Sequence, residues 1–197
     1  MVALPAMHHR LCRSENCSRA RATTNGENTM SLTVHSMIVR DYVHMLRNML
    51  GWLDKAQAHA DSKGFDSANY LDMRLAPDML PFSRQVLIAC QIAVLGVERF
   101  SGVGAPRREH EDASVQDLRQ RVSLVIDFLD TITVGQIDGS AVQELVVPQR
   151  GKPALEFDRS GFVRWSQGNF FFHATMTYGL LRHAGVELGK ADFLGLA

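Results

Sequence analysis

Cysteine is scarce in this chain: there are three in 197 residues, Cys12, Cys17 and Cys90. An odd count, with two members in a polar leader, excludes a disulfide framework and makes a reducing cytoplasm the expected compartment. An excess of charge is missing too. Lys and Arg number 21, Asp and Glu number 21, which leaves no electrostatic footprint for nucleic acid or an anionic membrane surface. No apolar run approaches the roughly 18 residues that a membrane-spanning helix needs. Short catalytic signatures are also absent: there is no Gly-x-Ser-x-Gly elbow, phosphate-binding glycine loop, His-Glu-x-x-His or Cys-x-x-Cys. Each needs only a short string, so several hydrolase, nucleotide-binding, metalloprotease and redox classes drop out together.

What is present is an ordinary globular composition, 46% hydrophobic against 21% charged, in a length suited to one domain with its own core. Residues 1–29 differ from the rest. They are polar, carry no helical or strand period, and lack the apolar centre of a secretory signal. They are expected to be a disordered leader or an upstream-start extension, with the domain spanning 30–197. His8, His9, Cys12 and Cys17 lie within the leader, but their spacing matches no standard zinc pattern.

From Met30 onward the period is helical. Ile38, Tyr42, Met45, Leu46, Met49, Leu53 and Ala56 recur at three and four residues, predicting an amphipathic helix over about 32–60. Pro77 and Pro81 force extended backbone before a second helix at about 82–100, apolar nearly all round and therefore the most buried. Ser101-Gly-Val-Gly-Ala-Pro106 breaks it. A third helix begins near Ala113 or Ser114 with the stripe Val115, Leu118, Val122, Val125, Ile126, Leu129 and Ile132. The period then becomes two, and Glu144–Val147 and Ala154–Phe157 read as a β-hairpin that must lean on the helices. Asp158 is placed to cap the fourth helix, whose expected stripe is Phe162, Trp165, Asn169, Phe172, His173, Met176 and Leu180. Gly185 stands where a left-handed residue would end it. The expected fold is all-α: a four-helix bundle with a small β-hairpin inserted between helices 3 and 4.

Three stretches, Arg74-Leu-Ala-Pro-Asp-Met-Leu-Pro81, Arg84-Gln-Val-Leu-Ile-Ala-Cys90 and the run from Asn169 to Gly195, resemble the DinB/YfiT-like superfamily of four-helix bundles. Within it the chain is similar to an uncharacterised, domain-of-unknown-function branch of putative metalloenzymes. The resemblance implies a divalent-metal site built from one His on the second helix and a His-x-x-x-His pair on the fourth. Those positions fall on Cys90, Asn169 and His173. The implied ion would be zinc, nickel or manganese, but a thiol and a carboxamide stand where two imidazoles are expected, so the triad is degenerate. The resemblance thus implies either a metal-assisted or thiol-linked transferase acting on a small molecule, or a non-catalytic bundle that binds a small ligand or serves as a stress-related scaffold. A homodimer is compatible with either.

His173 is the leading candidate, as a general acid/base or ligand, or else as a buried neutral imidazole held by a polar neighbour. Asn169 would orient it, bind a ligand carbonyl or satisfy a backbone group near the hairpin. Asp78 and Gln85 sit at the mouth of helix two, where Asp78 either caps the helix or closes the cavity. Cys90, in the most apolar helix, reads as a small hydrophobe unless it meets His173. Tyr178 is a further candidate for substrate contact or packing. His35, His44, His59 and His110 read as solvated, and Lys190–Leu194 as a tail that folds back on the bundle or docks on a second subunit.

Overall fold

The computed structural model describes residues 32–106 and 112–196. The leader and His110 lie outside the described residues, and the described domain belongs to the unit Leu32–Ala197. Four long helices form it: α1 (Asp41–Lys63), preceded by a five-residue π-turn at Ser36–Arg40, α2 (Phe82–Ser101), α3 (Val115–Asp130) and α5 (Arg159–His183). A short α4 (Val134–Asp138), an antiparallel hairpin of β1 (Glu144–Gln149) and β2 (Lys152–Asp158), and a C-terminal α6 (Lys190–Leu194) complete the elements. No described helix is long and apolar enough to cross a membrane.

The packing order follows a ring: α1 against α3, α3 against α2, α2 against α5, and α5 back against α1. Consecutive α1 and α2 are therefore diagonal, which requires the long connection from Gly64 to Pro81. The buried positions of α1 (Tyr42, Met45, Leu46, Met49, Trp52, Leu53, Ala56, Ala60) keep helical spacing and fill the centre.

Local chemistry sets the boundaries. Gly64 takes the left-handed conformation after α1. Ser114 and Asp158 cap α3 and α5 by accepting from the Asp117 and Gly161 N–H groups. The end of α5 is a Schellman motif, with Gly185 at φ +90, Val186 N–H on Leu181 O at 3.0 Å and Gly185 N–H on Arg182 O at 3.1 Å.

The hairpin pairs Glu144 with Asp158 and Val147 with Leu155, then slips at Pro148, which has no N–H to give. Leu145 is its buried anchor. Arg159 ties this region down: its guanidinium donates to Ile137 O, Ser140 O and Val142 O and lies 4.7 Å from the Phe100 ring centre.

The tail folds back on its own bundle. Trp52 Nε1 donates to Asp192 O at 3.1 Å, Asn48 donates to Phe193 O at 3.0 Å, and the Trp52 and Phe193 rings stack at 5.6 Å.

The face of α5 turned inward differs from the expected stripe. Buried are Phe162, Val163, Ser166, Phe170, His173, Ala174, Thr177, Leu180 and Leu181, whereas Trp165, Asn169 and Met176 are half-buried and Phe172 is 49% exposed. Small residues made the difference. Ser166 packs opposite Gly96, where an added Cβ would come 3.4 Å from the Ser166 oxygen, so α5 approaches α2 along its small side. The Tyr42 hydroxyl and Ser166 share a buried hydrogen bond of 2.8 Å, and burial raises the phenol pKa.

Ser166→Ala removes that partner and leaves the buried phenol unpaired, so it should cost about 1–3 kcal/mol in urea unfolding. Tyr42→Phe combined with Ser166→Ala should cost less than the two single changes added together. A Ser166→Ala variant as stable as the parent would contradict this assignment.

Candidate functional site

His173 and Gln85 face each other across the α2–α5 contact, 8% and 2% exposed. The Gln85 carboxamide oxygen lies 2.7 Å from His173 Nδ1. That oxygen can only accept, so Nδ1 carries the proton and Nε2 is the ring's acceptor. Gln85 Nε2 in turn donates to Leu80 O at 2.9 Å. Leu80 is held extended by Pro81, which occupies the N-cap position of α2 at φ −71, ψ 165. Thr177 donates to the His173 carbonyl at 2.9 Å. The result is a chain of buried polar groups with partners, running from the α2 entry to the middle of α5. Burial pushes the His173 pKa below its ordinary value and keeps the imidazole neutral.

The other candidates are dispersed. Cys90 lies five residues from Gln85, about 140° further round α2, and lines a cavity with Arg121, Leu124 and Phe128 of α3. The α2 residue that meets His173 is therefore Gln85, and the thiol faces the other neighbour of α2. Asn169 is half-buried one turn before His173. Asp78 is exposed and does not cap α2, because Pro81 holds that position. Tyr178 packs edge-on against Trp52 and Phe193, both at 5.5 Å, beneath the folded-back tail.

Three histidines expected in solvent are engaged, His44 through Nε2 to Leu194 O at the surface and two at less exposed positions. His35 is 8% exposed with Nε2 donating to Ile132 O at 3.1 Å, and His59 Nδ1 is 2.6 Å from the Tyr70 hydroxyl. Both owe this to tertiary contacts that no local period records.

The donors gathered around His173 do not fit a zinc, nickel or manganese site. No group of three or more His, Cys, Asp and Glu side chains able to hold a metal occurs among the described residues, so the free Nε2 of His173 lacks the companion donors such an ion needs.

The α2–α3 cavity is of another kind. It measures about 470 Å³, and its walls include Val94, Leu95, Leu124, Val125 and Phe128. Arg121 Nε donates to Asp112 Oδ2 at 2.7 Å beside it, with both side chains largely buried. Burial pushes the Cys90 thiol up to about 12, Arg121 acting the other way and Asp112 with it. Sequence periodicity assigns Cys90, Val94 and Leu95 of α2 and Val125 of α3 to buried faces; only the ring order shows that they leave space between them.

With its folded pKa depressed, His173 takes up its proton at lower pH than it would in the unfolded chain. Stability contributed by the neutral ring is complete above pH 6.5, the ordinary value, and declines as pH falls below it. The His173 ring resonances should titrate with a midpoint below 6.5 in NMR, and Gln85→Leu should move that midpoint. A midpoint above 6.5 would contradict the buried, neutral assignment.

Comparison with known proteins fits this architecture. Residues 34–194 match the family described as Domain of unknown function (DUF1993). A solved structure, described as the crystal structure of a DinB family member protein from Shewanella denitrificans, superposes with a TM-score of 0.72 at 33% identity. The match covers 82% of this chain and 92% of that one. No curated protein matches. The chain belongs to the DUF1993 family, an uncharacterised group of DinB-like helical bundles.

Proposed function

We propose that this domain binds a small, largely apolar molecule in the α2–α3 cavity and that binding, rather than a metal- or thiol-dependent transfer, is its function. The observation that carries the reading is the cavity itself. Its volume of about 470 Å³ lies within the roughly 300–1,000 Å³ typical of ligand pockets. Its walls are aliphatic and aromatic, and its polar groups are few: Gln91, Glu98 and Arg121. Such a lining suits a ligand that hides an apolar body and presents one polar end to Arg121.

The transferase reading asks more of the residues than they supply. A thiol whose pKa stands near 12 holds almost no thiolate at neutral pH, and the thiolate is the nucleophile. His173 is turned to Gln85 on α2, so it does not act as the base for that thiol in this arrangement. What Cys90 offers the cavity is a small apolar wall.

A fluorescent probe with an apolar body and one anionic group, 8-anilinonaphthalene-1-sulfonate, tests the reading. The folded chain should bind it saturably at one site, with enhanced emission. Val125→Trp, which fills the cavity from α3, should weaken binding at least about tenfold, or roughly 1.4 kcal/mol, while the helical circular dichroism is retained. Cys90→Ala should bind the probe within about threefold of the parent. Probe affinity unchanged in Val125→Trp would contradict the assignment of the cavity.

A further inference from the structure

A second cavity, of about 340 Å³, lies between the π-turn, the following turns of α1 and the C-terminal end of α3. Its polar lining is His35, Arg40, His44 and Arg47 on one side and Asp130 on the other. On an unbroken α-helix, His35 and His44, nine residues apart, would face about 180° away from each other. The π-turn changes the phase. Asp41 N–H bonds to Ser36 O, five residues back, and the wider turn absorbs one extra residue. The offset falls to about 80°, and both imidazoles reach the same space. Arg40, His44 and Arg47 then follow at four and three residues, along one helix face. Such turns recur at functional sites, and this one assembles four basic side chains that a regular helix would divide between opposite faces.

The surroundings hold these groups in place. His35 donates through Nε2 to Ile132 O and His44 through Nε2 to Leu194 O, both at 3.1 Å. Arg47 pairs with Asp130 at 2.8 Å on the surface, and Arg40 is exposed. Within the lining, two guanidinium groups face one carboxylate. Asp41, next to His44 in its electrostatics, and Asp138, whose carboxylate accepts from the His35 N–H at 3.2 Å, are acidic groups close by but outside the lining.

We infer that this cavity is an oxyanion site that takes the phosphate group of a small phosphorylated molecule. Arg40 and Arg47 present planar donor forks from positions two turns apart, which suits a tetrahedral anion with several outward oxygens better than a planar carboxylate. Val39, Val43 and Leu129 form the apolar part of the lining, a wall for the body that carries the phosphate. This site is separate from the α2–α3 cavity, and each stands or falls without the other.

The test is an amide-detected NMR titration of the full chain with inorganic phosphate, ionic strength being held constant with sodium chloride. Saturable shifts are expected at residues 35–47 and 129–132, with acetate binding at least about tenfold more weakly. Arg40→Ala combined with Arg47→Ala, both at exposed positions, should weaken phosphate binding at least about tenfold. In the same sample the helical signal and naphthalenesulfonate binding should be unchanged. Shifts that grow linearly and match those from chloride alone would overturn the site. So would an acetate response equal to that of phosphate, or phosphate binding unaffected by the double substitution.

Discussion

Helix α2 has to satisfy two neighbours at once, and the rest of the domain is arranged around that demand. In the ring α1–α3–α2–α5 it touches α5 on one side and α3 on the other. Toward α5 it presents Gln85 and Gly96, which allow a polar contact and a close approach. Toward α3 it presents Cys90, Val94 and Leu95, which leave a cavity. The helix is apolar nearly all round because almost none of its surface is free. The separation of imidazole from thiol follows directly: His173 meets Gln85, and Cys90, five residues further along α2, occupies a face that belongs to a different partner.

The polar chain on the α5 side explains why a His and a Gln are tolerated so deep in the structure. Leaving either group unpaired would cost about 1–3 kcal/mol. The chain avoids this by running Leu80 O to Gln85 to His173, anchored where Pro81 fixes the backbone. Such a network specifies how α5 sits against α2, since a shift of one residue along either helix would break the Gln85–His173 hydrogen bond. On this account the imidazole is a registration device between two helices.

Much of the architecture was legible in the sequence because it is written in local chemistry. The helical periods of α1, α2 and α3, the Asp158 cap, the hairpin of Glu144–Val147 with Ala154–Phe157 and the glycine stop at Gly185 each need only a few neighbouring residues. What was not legible depends on pairings between distant elements. The inward face of α5 departs from the hydrophobic period because large apolar residues dominate such a period, whereas the small Ser166, Ala174 and Thr177 are also buried, Ser166 against Gly96 of α2. His35 looked solvated because its partner is Ile132, 97 positions away. The π-turn left no signal, since the period on either side of it is helical and only the phase slips. The candidate site divided for the same reason: the resemblance placed Cys90, Asn169 and His173 in one triad, and the ring order sends Cys90 to a different neighbour.

The assignment of His173, bonded through Nδ1 to Gln85, is to the α2–α5 contact rather than to a metal site, whose further His, Cys, Asp or Glu donors are missing among the described residues. Its most direct test is titration of zinc into untagged protein while the His173 ring resonances are followed by NMR. The His173 ring signals should stay in place at stoichiometric zinc. Tight, stoichiometric zinc binding that shifts the His173 ring and is lost in His173→Ala with the fold intact would contradict it.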